Sequence, residues 1–404
     1  MRKDVTISDL GIIVTGHTPP RSQPQLYGSH TPFIKATDIS ETEKYTYHPE
    51  EGYSEEGYKK YIKSLIPKGS TCVVTIGSIG KKMTMAHCDI FINQAMNAII
   101  PNENYNNEYV YYVIRNILPN IKSLDSGTAS GRENVSKAAF SKMEITVEDN
   151  IETQRRIASI LSRYDDLIEN YQHQIQLLEE AAQRLYKEWF VDLHFPGYEN
   201  TNIVDGVPEG WEKKNIEDLC LTIKAGGTPS RRKDNYWVPG TIKWVKTKEL
   251  QDNWILDTEE YISEDGLNNS STKLFPKNTI LMAIYASPTL GRLGILNCES
   301  TCNQAALGLI ANESIISYQW LYYKLFELRE HFNAVARGAG QQNISSDVVK
   351  KKEIVCPPKK IIDMFTDIVN PIFRKSLAIT SQIRLLTEAR DRLLPKLMSG
   401  EITV

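Results

Sequence analysis

Residues 151–189 read IETQRRIASILSRYDDLIENYQHQIQLLEEAAQRLYKEW, with no glycine or proline and an apolar or aromatic residue at every seventh place: Ile157, Tyr164, Tyr171, Leu178 and Leu185. A second row at Ile160, Leu161, Leu167, Ile168, Ile175, Ala182 and Trp189 widens the stripe to the face of a helix packed along its whole length. The spacing predicts a single helix of roughly 58 Å, at about 1.5 Å per residue, which is a strut rather than an ordinary core helix. The strut recurs near the C-terminus. Gln174–Leu185 lines up with Gln382–Leu393 at a shift of 208 residues, and Phe365, Ile372, Ile379, Leu386 and Leu393 stand at the same shift from the first heptad row. Two heptad helices in matching register predict an antiparallel, coiled-coil-like pair with these ten residues at its interface.

Outward from the struts, the segments before them also match. Gly16-His17-Thr18-Pro19 answers to Gly226-Gly227-Thr228-Pro229, and Phe33–Ile39 to Trp244–Leu250. Asn93-Gln94-Ala95 answers to Asn303-Gln304-Ala305, and Asn134-Val135-Ser136 to Asn343-Ile344-Ser345. The shifts stay within about 208 to 211 residues, so a whole domain is duplicated with small loop changes. Short apolar runs at Cys72–Ile76, Met96–Ile100, Ile280–Ile284 and Ile295–Leu296 read as strands, while Glu108–Ile117 and Ser317–Phe332 read as helices. Each copy is expected to be an α+β globule. The expected division is 1–150 for the first globule, 151–195 for the first helix and 196–210 for a Pro-, Gly- and Asn-rich linker. The second globule then takes 211–356 and the second helix 357–404.

The 404 residues suffice for more than one core, and the net charge of −3 disfavours a chain that attracts nucleic acid by bulk charge alone. No apolar run is long enough to span a membrane and no leader-like stretch opens the chain, which predicts a cytoplasmic protein. The six cysteines are scattered without metal-ligand spacing, so no metal site is expected. Catalytic signatures are missing: there is no H-E-x-x-H, no G-x-S-x-G and no glycine fingerprint, and Gly77-Ser78-Ile79-Gly80-Lys81 lacks phosphate-loop spacing and reads as a turn.

Polar and basic side chains crowd the matching loops instead. Thr18, Arg21 and Lys35 in the first copy answer to Thr228, Arg231, Arg232 and Lys246 in the second. A later loop pair offers Arg132 and Asn134 against Gln342 and Asn343. Arginine can bridge guanine acceptors or a phosphate with two bonds, and Asn or Gln can pair with adenine. Recurrence with changed side chains points to one scaffold reading two different short sequences.

These features together resemble the DNA-specificity (S) subunit of type I restriction-modification enzymes over essentially the whole chain. The resemblance is carried by QRRIASILSRYD at Gln154–Asp165, the two Gly-x-Thr-Pro loops, the Asn-Gln-Ala triplets and the ending LLPKLMSGEI at Leu393–Ile402. It implies two target recognition domains alternating with two long helices, and a chain that is not itself an enzyme. Each domain would read one half of a split double-stranded DNA target. Two methyltransferase subunits using S-adenosylmethionine, and restriction/translocase subunits using ATP and Mg2+, would act on that DNA. The second helix departs from the pattern: Pro357–Met364 replaces the glutamine-containing opening, and Pro371 predicts a kink or a late start. The competing readings are a two-domain scaffold that does not bind DNA and a methyltransferase or nuclease fused to such domains.

Overall fold

The computed structural model describes residues 2–127, 133–285, 289–336 and 343–404. Its contacts divide the chain into two compact units, Met1–Tyr171 with Ile383–Val404, and Gln172–Gln382.

In the first unit Arg2–Thr6 pairs antiparallel with Glu144–Glu148, the strand that runs into the first long helix. A four-stranded antiparallel sheet follows in the order Gly11–Thr15, Met96–Pro101, Thr71–Val74, Met83–Met85. Thr71–Val74 is buried on both faces, which explains the apolar run Cys72–Val74 within it. Alternation then sends Val73 to one core and Cys72 and Val74 to another. Val73 packs with Ile13, Ile99 and the helix Asn107–Ile117, whereas Cys72 and Val74 pack with Ile34, Ile92 and Met96. The Asn106 side chain caps that helix by accepting the Tyr109 N–H. A smaller sheet sets Tyr27–Ile34 between Glu51–Tyr53 and Phe91–Ile92.

The second unit repeats this plan. Glu212–Asn215 pairs with Glu353–Cys356, and the larger sheet runs Cys220–Ala225, Ala306–Ala311, Ile280–Ala283, Leu293–Leu296, Asn253–Ile255. The fifth strand has a shrunken counterpart in the first unit, a single bridge between Tyr45 and Met85. Ile280 and Met282 face one core while Leu281 and Ala283 face the other. The smaller sheet is Glu260–Ile262, Ile242–Val245, Thr301–Cys302. The expected helix over Ser317–Phe332 forms as two, Tyr318–Glu327 and Arg329–Val335, parted at Leu328. Within the expected linker, Ile203–Val204 and Val207–Pro208 close a small hairpin on Asp205 and Gly206, both with positive φ. That Asp-Gly pair is a strong hairpin signal.

The long helices span Ile151–Phe190 and Lys359–Ser399. In the first unit Ile157, Ala158 and Leu161 share a core with Leu394, Leu397 and Met398, while Asp165 meets Arg390, so the two segments run antiparallel. In the second, Tyr186, Trp189 and Phe190 surround Phe365, again antiparallel. The late start expected from Pro371 is overturned: the helix begins at Lys359 and passes through Pro371. Proline costs one backbone hydrogen bond, about 3 kcal/mol in a helix interior. Here its ring is exposed, and the buried Phe365, Val369 and Phe373 on either side hold the helix in place.

Of the ten heptad residues, Ile157, Phe365 and Ile379 are buried. Tyr164, Tyr171, Leu178, Leu185, Ile372, Leu386 and Leu393 are half-buried.

Candidate nucleic-acid interface

The Gly-x-Thr-Pro loop is pressed against the Asn-Gln-Ala loop, and the reason is steric. A Cβ on Gly16 would fall 2.1 Å from the Asn93 carbonyl oxygen, and one on Gly226 would fall 2.1 Å from that of Cys302. Only glycine allows that approach. The His17 N–H donates to the Ile92 carbonyl, and the Gly227 N–H to that of Cys302. One residue on, the Thr18 hydroxyl donates to the exposed Gln94 amide oxygen and the Thr228 hydroxyl to that of Gln304. Each partner lies 76 residues away along the chain, in both copies.

The Ala95 carbonyl in turn accepts from the Thr75 and Ile76 N–H groups, and Ala305 from Ile284. Ile76 bridges to Asn134 and Tyr285 to Asn343. Three separate motifs therefore meet at one end of the larger sheet in each unit. Asn134 is half-buried and Asn343 exposed, while Arg132 and Gln342 lie outside the described residues.

Beside this corner sits an ion-pair group. In the first unit Arg21 contacts Glu51 at 2.9 Å, and Lys35 lies 3.5 Å from the same carboxylate and 2.5 Å from Glu50. In the second, Arg231 pairs with Glu260, and Lys246 lies 2.7 Å from Glu260 and 2.8 Å from Glu259. The lysine turn is held alike in both, its backbone N–H donating to Asp38 at 2.8 Å or to Glu249 at 2.6 Å. The Arg21 guanidinium holds the Glu51 carboxyl below the usual carboxylate range, and Arg231 does the same to Glu260. Both lysines are raised, Lys35 chiefly by Glu50 and Lys246 chiefly by Glu259. All four groups are therefore charged at neutral pH.

The copies differ in what surrounds that common group. Arg21 lies over Tyr27 at 4.6 Å, whereas Arg231 lies 3.6 Å from the Trp237 ring centre and 5.1 Å from that of Trp244. Ser22 and Gln23 follow the first arginine, Arg232 and Lys233 the second, and all but the half-buried Gln23 are exposed. Among the described residues no cluster of His, Cys, Asp and Glu is placed to hold a metal ion. Nor is any helix long and apolar enough to cross a membrane. The sequence reading did not single out Glu51 or Glu260, and it took Gln94 and Gln304 as parts of a repeated motif rather than as site residues. The duplication carried the signal, since all four recur in both copies.

A duplicated α+β chain with one polar constellation repeated in two settings is a two-site recognition protein. Residues 2–180 and 208–385 match the family described as the type I restriction modification DNA specificity domain, and the chain belongs to that family. It therefore has the family's DNA sequence-recognition role, with catalysis left to other subunits. It is 28% identical to the type I restriction enzyme MjaIX specificity subunit of Methanocaldococcus jannaschii, over 98% of this chain and 93% of that protein. The HindI specificity subunit of Haemophilus influenzae is 27% identical over 65% of this chain and 70% of its own length. The crystal structure of the type I restriction-modification S subunit from M. genitalium shares the fold, with a TM-score of 0.58 and 15% identity. That match covers 98% of this chain and 96% of the other.

Proposed function

We propose that this chain reads a bipartite double-stranded DNA target, one half per globule, and directs adenine methylation and ATP-dependent restriction by partner subunits. The recognition domains are residues 1–150 and 211–356, the spacer helices 151–195 and 357–404, and 196–210 the linker. The partners are two methyltransferase subunits carrying S-adenosylmethionine and restriction/translocase subunits carrying ATP and Mg2+, in the cytoplasm. The ten heptad residues serve the helix pair and its partners. The DNA-facing residues are Thr18, Arg21, Lys35, Arg132 and Asn134 in the first globule. In the second they are Thr228, Arg231, Arg232, Lys246, Gln342 and Asn343.

One observation carries the reading: the same corner is built twice, with different side chains around it. A scaffold that binds no DNA has no need of two such corners flanked by arginine and lysine. The test is co-expression with the methyltransferase subunit encoded beside this gene, followed by mapping of modified adenines by single-molecule sequencing. A split motif with an unread gap is expected. A stable complex that leaves no new modification favours the scaffold.

A further inference from the structure

Two readers of different sequences differ where they touch bases and agree where they touch what all DNA shares. The groups that agree here are Arg21, Glu51, Lys35 and Glu50 in one unit and Arg231, Glu260, Lys246 and Glu259 in the other. Resting on the two-half-site reading above, we propose that Lys35 with Arg21, and Lys246 with Arg231, are sequence-independent phosphate anchors. The outer carboxylates Glu50 and Glu259 stand on the lysine ammonium where a phosphate oxygen sits in the DNA complex.

The two carboxylates of each group are not equivalent. Glu51 and Glu260 are the inner ones, 25% and 30% exposed, and each is shared between the arginine and the lysine. They hold two like charges side by side and orient both. Glu50 and Glu259 are 74% and 54% exposed and meet the lysine from the solvent side. Ion pairs open to solvent on one side contribute little, so their exchange for a phosphate costs little.

Charge bookkeeping agrees. In the first unit, with the outer carboxylate in place, the two cations and two carboxylates sum to zero; in the second, Glu259 also pairs with Lys248 at 2.6 Å, which adds one further positive charge beside the same four groups. When the outer carboxylate swings away, the remaining three of the four carry one positive charge, the complement of one phosphodiester. The arginine lies over Tyr27 or Trp237, which fixes its plane so that its remaining N–H groups can reach the same phosphate. Base reading then falls to what differs between the copies, with Arg232 and Lys233 standing where Ser22 and Gln23 stand in the first.

The experiment uses the full chain in complex with its methyltransferase subunit. Binding is followed by fluorescence anisotropy on a duplex carrying the mapped motif and on a scrambled duplex, across a NaCl series. Lys35→Gln and Lys246→Gln are each expected to weaken both duplexes by the same factor, and to reduce the slope of log K against log salt by about one. Glu50→Gln and Glu259→Gln are expected to tighten both duplexes several-fold while leaving their affinity ratio unchanged. Lys35→Arg keeps the charge and is expected to bind like the parent, which separates loss of an anchor from loss of fold.

A changed ratio between the duplexes, or an effect confined to one half of the motif, would make these residues base readers and overturn the anchor assignment. Unchanged affinity with a lowered melting temperature would make the group purely structural. If the parent complex binds neither duplex, it is the two-half-site reading that falls.

Discussion

The two units close the long-helix pair with opposite chemistry. In the first, Gln154 is wholly buried at the helix start. Its amide donates to the Glu148 carbonyl at 2.8 Å and accepts the Asn106 N–H at 2.9 Å. Farther along, the almost fully buried Arg390 pairs with Asp165 at 2.5 Å, and the Tyr112 hydroxyl donates to the other oxygen of that carboxylate. At the 208-residue shift these three positions become Ile362, Phe373 and Ala182, all buried in one apolar core. The same helix geometry is thus satisfied once by hydrogen bonds and a buried charge pair and once by packing. The polar solution holds only while every member is present, because an orphaned buried charge costs more than a lost contact.

Breaking that contrast gives the largest expected effect. Asp165→Ala removes the buried partner of Arg390, leaves it only the more exposed Asp391 at 2.8 Å, and should cost about 3 kcal/mol in chemical denaturation. The double variant Asp165→Phe with Arg390→Ala imports the residues of the second unit and should be less destabilised than the single. If the two changes simply add, the charge pair is not coupled. Next comes Gln154→Ile, which puts the second unit's residue at the helix start and removes the acceptor of the Asn106 N–H. A loss of about 2 to 3 kcal/mol is expected, and an unchanged unfolding midpoint would show that the glutamine pins nothing.

The loop corner should be the part on which the units agree. Gly16→Ala and Gly226→Ala each drive a methyl into a backbone carbonyl and should cost about 1 to 3 kcal/mol apiece, to a similar extent. A tolerated change in one unit alone would show that the corner is not equivalent.

The smallest effect concerns Glu179, which is raised chiefly by burial and bonds to Gln183 and Tyr323 rather than to a cation. A carboxyl raised in the folded state favours folding below its unfolded value near 4.5, and that contribution is lost as pH rises through the folded value. Glu179→Gln should therefore match the parent at pH 4 and melt higher at pH 8. Equal melting temperatures at both would show that Glu179 is not penalised by burial.

Much of this architecture was legible along the chain. Heptad spacing defined both struts, because a helix's buried face repeats within one or two turns and needs no distant partner to be seen. Self-similarity exposed the duplication, and the Gly-x-Thr-Pro and Asn-Gln-Ala motifs stood out by recurring. Thr18, Arg21, Lys35, Thr228, Arg231 and Lys246 were legible as residue types in repeated loops.

Their company was not. Nothing local connects Thr18 to Gln94 across 76 residues, or Arg21 to Glu51 across 30, because the approach depends on strand order and on a glycine pressed against a carbonyl. Pro371 misled for a related reason: its penalty is local and readable, while the burial that outweighs it comes from the opposing helix and sheet. The sequence by itself determined periodicity, duplication and the inventory of charges. Only the tertiary structure decided which carboxylate restrains which cation and which buried polar group finds a partner, since those energies depend on distances between residues far apart in the chain.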